Sequence, residues 1–174
     1  GATAVAAVLI QIKTFPPIEV EHACRSSGEP KGGTRMGGIQ VNGRQAEGWE
    51  HFEHMADIGV RGFGATKVAA FENAARALTA AVADLDAVRP LQGIRIECRA
   101  ENDDLLLYEW LNALIYQMAT RKMVFSRFAV RIDGPKLEAT AWGEPIDAAR
   151  HAPAAEAKGA TLTAGGKTYT MYGV

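Results

Sequence analysis

The sequence predicts an α+β fold, two helices packed on an antiparallel or mixed β-sheet in one domain, and three observations carry that reading. Apolar residues recur at helical spacing in two stretches, from Thr66 to Leu85 and from Asn102 to Lys122. Elsewhere they alternate with polar residues over short runs, as half-buried strands require. Close turns rich in glycine join several of those runs, which sets neighbouring strands antiparallel. With 174 residues and 48% hydrophobic composition, the chain is long enough to bury one core.

The first apolar run, Val5 to Ile12, can make one strand closed by Phe15-Pro16-Pro17, but no neighbouring run offers it a partner. It persists only if a sheet edge receives it. From Cys24 to Gly48 seven glycines stand among few apolar residues, too little surface to offset the entropy of ordering. Residues 1–48 therefore read as a glycine-rich arm, flexible or non-native, and 49–174 as the domain. A start at Gly1 is consistent with a processed or fused end. His22 and Cys24 supply two ligands, which do not make a metal site.

The domain opens with Trp49-Glu50-His51-Phe52-Glu53-His54, a polar corner, and a second strand from Asp57 to Gly64. Thr66 then caps a helix whose buried face is Phe71, Ala74, Ala75, Leu78, Val82 and Leu85. Arg89-Pro90 ends the connection, and Ile94, Ile96 and Cys98 alternate with Arg95, Glu97 and Arg99, which makes Cys98 a core residue. Asn102 opens the second helix. Asp103 and Asp104 favour its positive end and Arg121-Lys122 its negative end, and Leu107, Trp110, Leu111, Leu114, Ile115 and Met118 form its stripe. Phe128, Val130 and Ile132 alternate up to Asp133-Gly134, and Leu137, Ala139 and Ala141 after it; Pro135 argues for a loop slightly longer than two residues. Gly143-Glu144-Pro145 ends that strand, Asp147 to Pro153 form a polar connection, and two last runs around Gly165-Gly166 close the chain as a hairpin.

Composition excludes several functions. The net charge is −1, and from Trp49 onward 14 Lys and Arg face 16 Asp and Glu, no balance for a strong phosphate binder. The two cysteines are far apart, which excludes a disulfide framework and a Cys-rich zinc site. The apolar run near the start is too short to span a bilayer and lacks a preceding basic residue, so a cytoplasmic protein without membrane partners is expected. Phosphate-cradling loops, dinucleotide fingerprints and nucleophile elbows are absent. His54 and Asp57 suit a metal or a hydrogen-bonded turn equally well from local chemistry.

Six stretches taken together are more specific. Glu53-His54-x-Ala56-Asp57-Ile58-Gly59 is followed in order by Ala70-Phe71-Glu72-Asn73-Ala74-Ala75, Glu109-Trp110-Leu111-Asn112, Gly143-Glu144-Pro145, His151 and Glu156-x-Lys158-x-x-Thr161. This series resembles the archease family. The resemblance implies an accessory protein that promotes guanylylation and multiple turnover of a GTP-dependent RNA ligase in tRNA splicing and RNA repair, with no strong nucleic-acid binding of its own. It further implies a divalent, calcium-like metal held by Asp57, by an Asp near the C-terminus and by the terminal residue, Val174 here. Gly173 stands where the family places that second Asp, so either the end of this chain is altered or truncated or its metal site is weakened or lost. Lys158 matches a functionally important lysine, while His54 and His151 are implied in activation or in holding turns. Two alternatives remain from the residues alone: a stand-alone metal-dependent hydrolase using Asp57 and His54, with His151 as an optional third group, and a general chaperone or interaction module.

Overall fold

The structure is a computed structural model that describes residues 4–14, 47–54, 57–151, 153, 155–164 and 167–170, with side chains described for 47–52, 58–151 and 153. Its strands are β1 (Ala4–Thr14), β2 (Gly48–His54), β3 (Asp57–Gly64), β4 (Gln92–Arg99), β5 (Met123–Asp133), β6 (Lys136–Pro145), β7 (Ala155–Ala164) and β8 (Lys167–Thr170). Its helices are α1 (Lys67–Val82), α2 (Asp103–Arg121) and the single turn α3 (Ala148–His151). The strands form two antiparallel sheets, a five-stranded one ordered β2-β3-β1-β7-β8 and a three-stranded one ordered β4-β6-β5.

Helices α1 and α2 lie between the sheets. Helix α1 packs on β3, β1 and β2 on one side and on β5 on the other, while α2 packs on β7 and β4. The fold class is α+β as expected, but the helices are covered on two sides. That explains why α2 buries Leu106 and Tyr108 beside the predicted Leu107, Trp110, Leu111, Leu114 and Ile115. A single amphipathic stripe serves one partner layer; two layers need a wider apolar surface.

The helix starts follow local chemistry. Thr66 Oγ1 accepts from the Ala69 N–H at 3.1 Å, and Asn102 Oδ1 accepts from the Leu105 N–H at 2.9 Å. Helix α1 stops at Val82, short of Leu85, because Ala83 is already extended and Asp84 caps a separate 3₁₀ turn at Leu85–Ala87. Two polar side chains of α1 fasten it to both layers: Asn73 Nδ2 donates to the Phe63 carbonyl of β3 at 2.7 Å, and Glu72 Oε1 accepts from the Val130 N–H of edge strand β5 at 2.9 Å. Gly62 permits the close seat on β3, since a Cβ there would lie 2.2 Å from the Ala70 carbonyl oxygen.

Two expectations are revised. Strand β1 is no unpartnered run and no edge: it sits in the middle of its sheet, pairing β3 along Ala4–Ile10 and β7 along Leu9–Thr14. Residues 15–46, the glycine-rich remainder of the arm, lie outside the described residues, as do His22 and Cys24. The β5–β6 loop is two residues, not longer, with Asp133 paired to Lys136 across Gly134-Pro135. Gly134 has φ +54° and Pro135 a fixed negative φ, the sign pattern of a type II′ turn, so the proline falls where no ladder N–H is needed.

Candidate functional site

The opening motif ends one hairpin. His54 and Asp57 are the last paired residues of the β2–β3 ladder, and the loop 55–56 between them lies outside the described residues. One position along, Ile58 pairs with Ile10, and Ile10 pairs in turn with Ala160 of β7. Gln11, the next residue of β1, pairs with Gly159, whereas Ile12 pairs with Ala157. Lys158 is thus an extra residue, a β-bulge on the strand next to Gln11. With neighbouring strands about 4.8 Å apart, the β3 and β7 backbones lie roughly 10 Å apart across β1. His54, Asp57 and Lys158, more than a hundred positions apart at the extremes, come to one end of one sheet.

His151 is placed differently. Its imidazole is fully buried in a corner built on Glu144, the charged residue of Gly143-Glu144-Pro145. Glu144 is 2% exposed and accepts from the Arg89 N–H at 2.8 Å, from Arg89 Nε and Nη2 at 3.1 and 3.0 Å, and from both Arg150 Nη atoms at 2.6 and 2.9 Å. His151 Nδ1 accepts from the Asp147 N–H at 2.9 Å, which leaves the proton on Nε2, 3.1 Å from Glu144 Oε1. Both ring nitrogens are therefore engaged. The Arg150 bond, with Arg89 and His151 behind it, holds the Glu144 carboxyl well below the usual carboxylate range against the opposing effect of desolvation. Two arginine forks on one buried carboxylate form a rigid anchor, and β7 starts four residues beyond it. The corner positions the strand that carries Lys158.

Gly143 has a backbone reason: a Cβ there would come 1.8 Å from the Val124 carbonyl oxygen, where β5 bulges between Phe125 and Arg127. Trp110 of Glu109-Trp110-Leu111-Asn112 is fully buried, donates from Nε1 to the Phe71 carbonyl at 3.3 Å and meets the Phe128 ring edge-on. Cys98 packs against the core, and burial, with the Glu109 charge second, pushes its thiol up to about 12. It carries no thiolate at neutral pH.

Among the described residues no group of three or more His, Cys, Asp or Glu suits a metal. Gly173 and Val174 lie outside the described residues. By register Asp57, a residue type that suits a hard cation, lies one position beyond Ile58 and so level with Gln11 of β1. Sequence reasoning missed Gln11, because nothing local told which strand β1 joins. It also missed the anchoring role of Glu144, for which a carboxylate closing an apolar alternating strand was the one signal.

The model of the Archease protein family (MTH1598/TM1083) matches residues 49–164. The protein archease of Thermococcus gammatolerans is 39% identical over 117 residues, covering 65% of this chain and 82% of that one. That of Pyrococcus abyssi is 38% identical with the same coverage. The solution structure of Methanobacterium thermoautotrophicum protein 1598 superimposes with a TM-score of 0.58 at 30% identity, over 72% of this chain and 98% of that one. No helix among the described residues is long and apolar enough to cross a membrane.

Proposed function

The chain belongs to the archease family, and from that premise we propose that it is an accessory protein of a GTP-dependent RNA ligase, promoting guanylylation of the ligase and its multiple turnover in tRNA splicing and RNA repair. The observation that supports this reading is the register that gathers His54, Asp57 and bulged Lys158 at one sheet end, apart from the buried corner of His151. A lysine ammonium is a point charge suited to a nucleotide phosphate or an acidic surface. A divalent ion held by Asp57 supplies a second positive charge when bound. The hydrolase alternative rests on Asp57 and His54 without His151, both of whose ring nitrogens are occupied elsewhere.

The test is multiple-turnover RNA joining by the ligase of the same source, with this chain, with Asp57→Ala and with Lys158→Ala. Wild-type chain is expected to raise turnover and each variant to lose at least about tenfold of that stimulation, the scale of a missing charge-assisted contact. Full stimulation by both variants would sink the reading.

A further inference from the structure

We propose that the outer face of the β4-β6-β5 sheet is a low-affinity docking surface for single-stranded RNA. The inner face of that sheet is spent on the core: Ile94, Ile96, Phe128, Leu137, Ala139 and Ala141 are buried against the helices. The register then sets four rows on the other face, Gly93-Trp142-Arg127, Arg95-Thr140-Ala129, Glu97-Glu138-Arg131 and Arg99-Lys136-Asp133. Five basic side chains stand there against three carboxylates, a net of two positive charges on a chain whose total is −1.

The pairing within those rows frees the arginines. Lys136 takes both glutamates: it bonds Glu138 on its own strand and lies 3.9 Å from Glu97. Arg95, Arg99 and Arg131 form no close ion pair among the described residues, although Arg131 stands opposite Glu138 in the ladder and both it and Arg95 act on the Glu138 charge. A face evolved only for cross-strand pairing would set an acid opposite Arg95; it faces Thr140 instead. Those small residues leave a groove of about 380 Å³ floored by Ala129 and Thr140 and walled by Arg95 and Arg131 together with Glu97 and Glu138. A smaller hollow of about 150 Å³ continues it between Arg131, Asp133, Lys136 and Glu138.

In the row beside the groove, the Arg127 guanidinium lies 4.5 Å from the centroid of the half-buried Trp142 ring, whose Nε1 edge fills the space beside Gly93. A guanidinium stacked on an indole is a flat plate on which a base can lie. Unpaired arginines along a groove follow an anionic backbone. An acidic peptide would use the arginines but not the plate, so the Arg127–Trp142 pair selects a nucleic-acid strand whose bases are unstacked. The inference does not depend on the ligase reading.

The test is fluorescence anisotropy of the full chain titrated into a labelled mixed-sequence single-stranded RNA of about 12 nucleotides, at about 50 and 200 mM salt. Wild type is expected to bind with strong salt dependence. Arg95→Gln with Arg131→Gln should weaken binding about tenfold and flatten the log–log salt slope by about 1.4, the share of two phosphate contacts on a single strand. Trp142→Leu should weaken binding several-fold, Arg121→Gln on the end of α2 should leave it unchanged, and thermal unfolding of each variant checks that it is folded. Absence of binding by wild type at the lower salt, or unchanged binding by the arginine double variant, overturns the proposal. Equal binding of a polyglutamate peptide that ignores Trp142→Leu would overturn it in favour of an acidic protein segment.

Discussion

Glu144 shows how one residue organises a corner that local sequence does not announce. A carboxylate buried alone would neutralise; here two arginine forks and a histidine N–H keep it charged. Its carboxyl titrates below the ordinary value of 4.5, so the stability it lends is fully present above that value and is lost as pH falls below it toward the folded-state value. Glu144→Gln is accordingly expected to lower the melting temperature at neutral pH and to flatten its acid dependence, the two curves converging below about pH 4. Circular-dichroism melts from pH 7 to pH 3 measure this; parallel curves for variant and wild type would mean that Glu144 is not the titrating group. Arg150 and His151 matter through the same carboxylate, so variants at these three positions should be non-additive.

Strand β1 decides the candidate site at the scale of elements. Among the described residues it alone joins β3 to β7, so the opening motif and Lys158 share a sheet because residues far upstream of both lie between them. Removing residues 1–14 is expected to speed amide exchange in β3 and β7 by at least about a hundredfold, since both strands lose a full ladder, while β4, β5 and β6 keep their protection. Hydrogen-exchange mass spectrometry of the truncated chain reads this directly, and unchanged exchange in β3 and β7 would show that β1 does not hold them together. The helices were legible by contrast. Their caps, Thr66 and Asn102, and the charged ends of α2 act within one turn of chain, which is the range that local sequence reports.

For the whole molecule, the layered core rests on contacts that cross from helix to helix and from helix to sheet. Trp110 makes both kinds, bonding the Phe71 carbonyl of α1 and meeting Phe128 of β5 edge-on. Trp110→Ala removes a fully buried ring between layers and is expected to cost about 3–5 kcal/mol, with chemical denaturation as the measurement. A cost under about 1 kcal/mol would mean that the layers close without it. By itself the sequence determined the types of element, their caps, most of their turns and the family, because helical and alternating periods, capping side chains and ordered motifs are short-range or linear signals. The tertiary structure decided where β1 goes, that there are two sheets, that His151 is buried on Glu144, and that arginines gather on one face of a chain with almost no net charge. Strand partners are chosen by burial across long stretches of chain, and a face is assembled from residues that composition averages away.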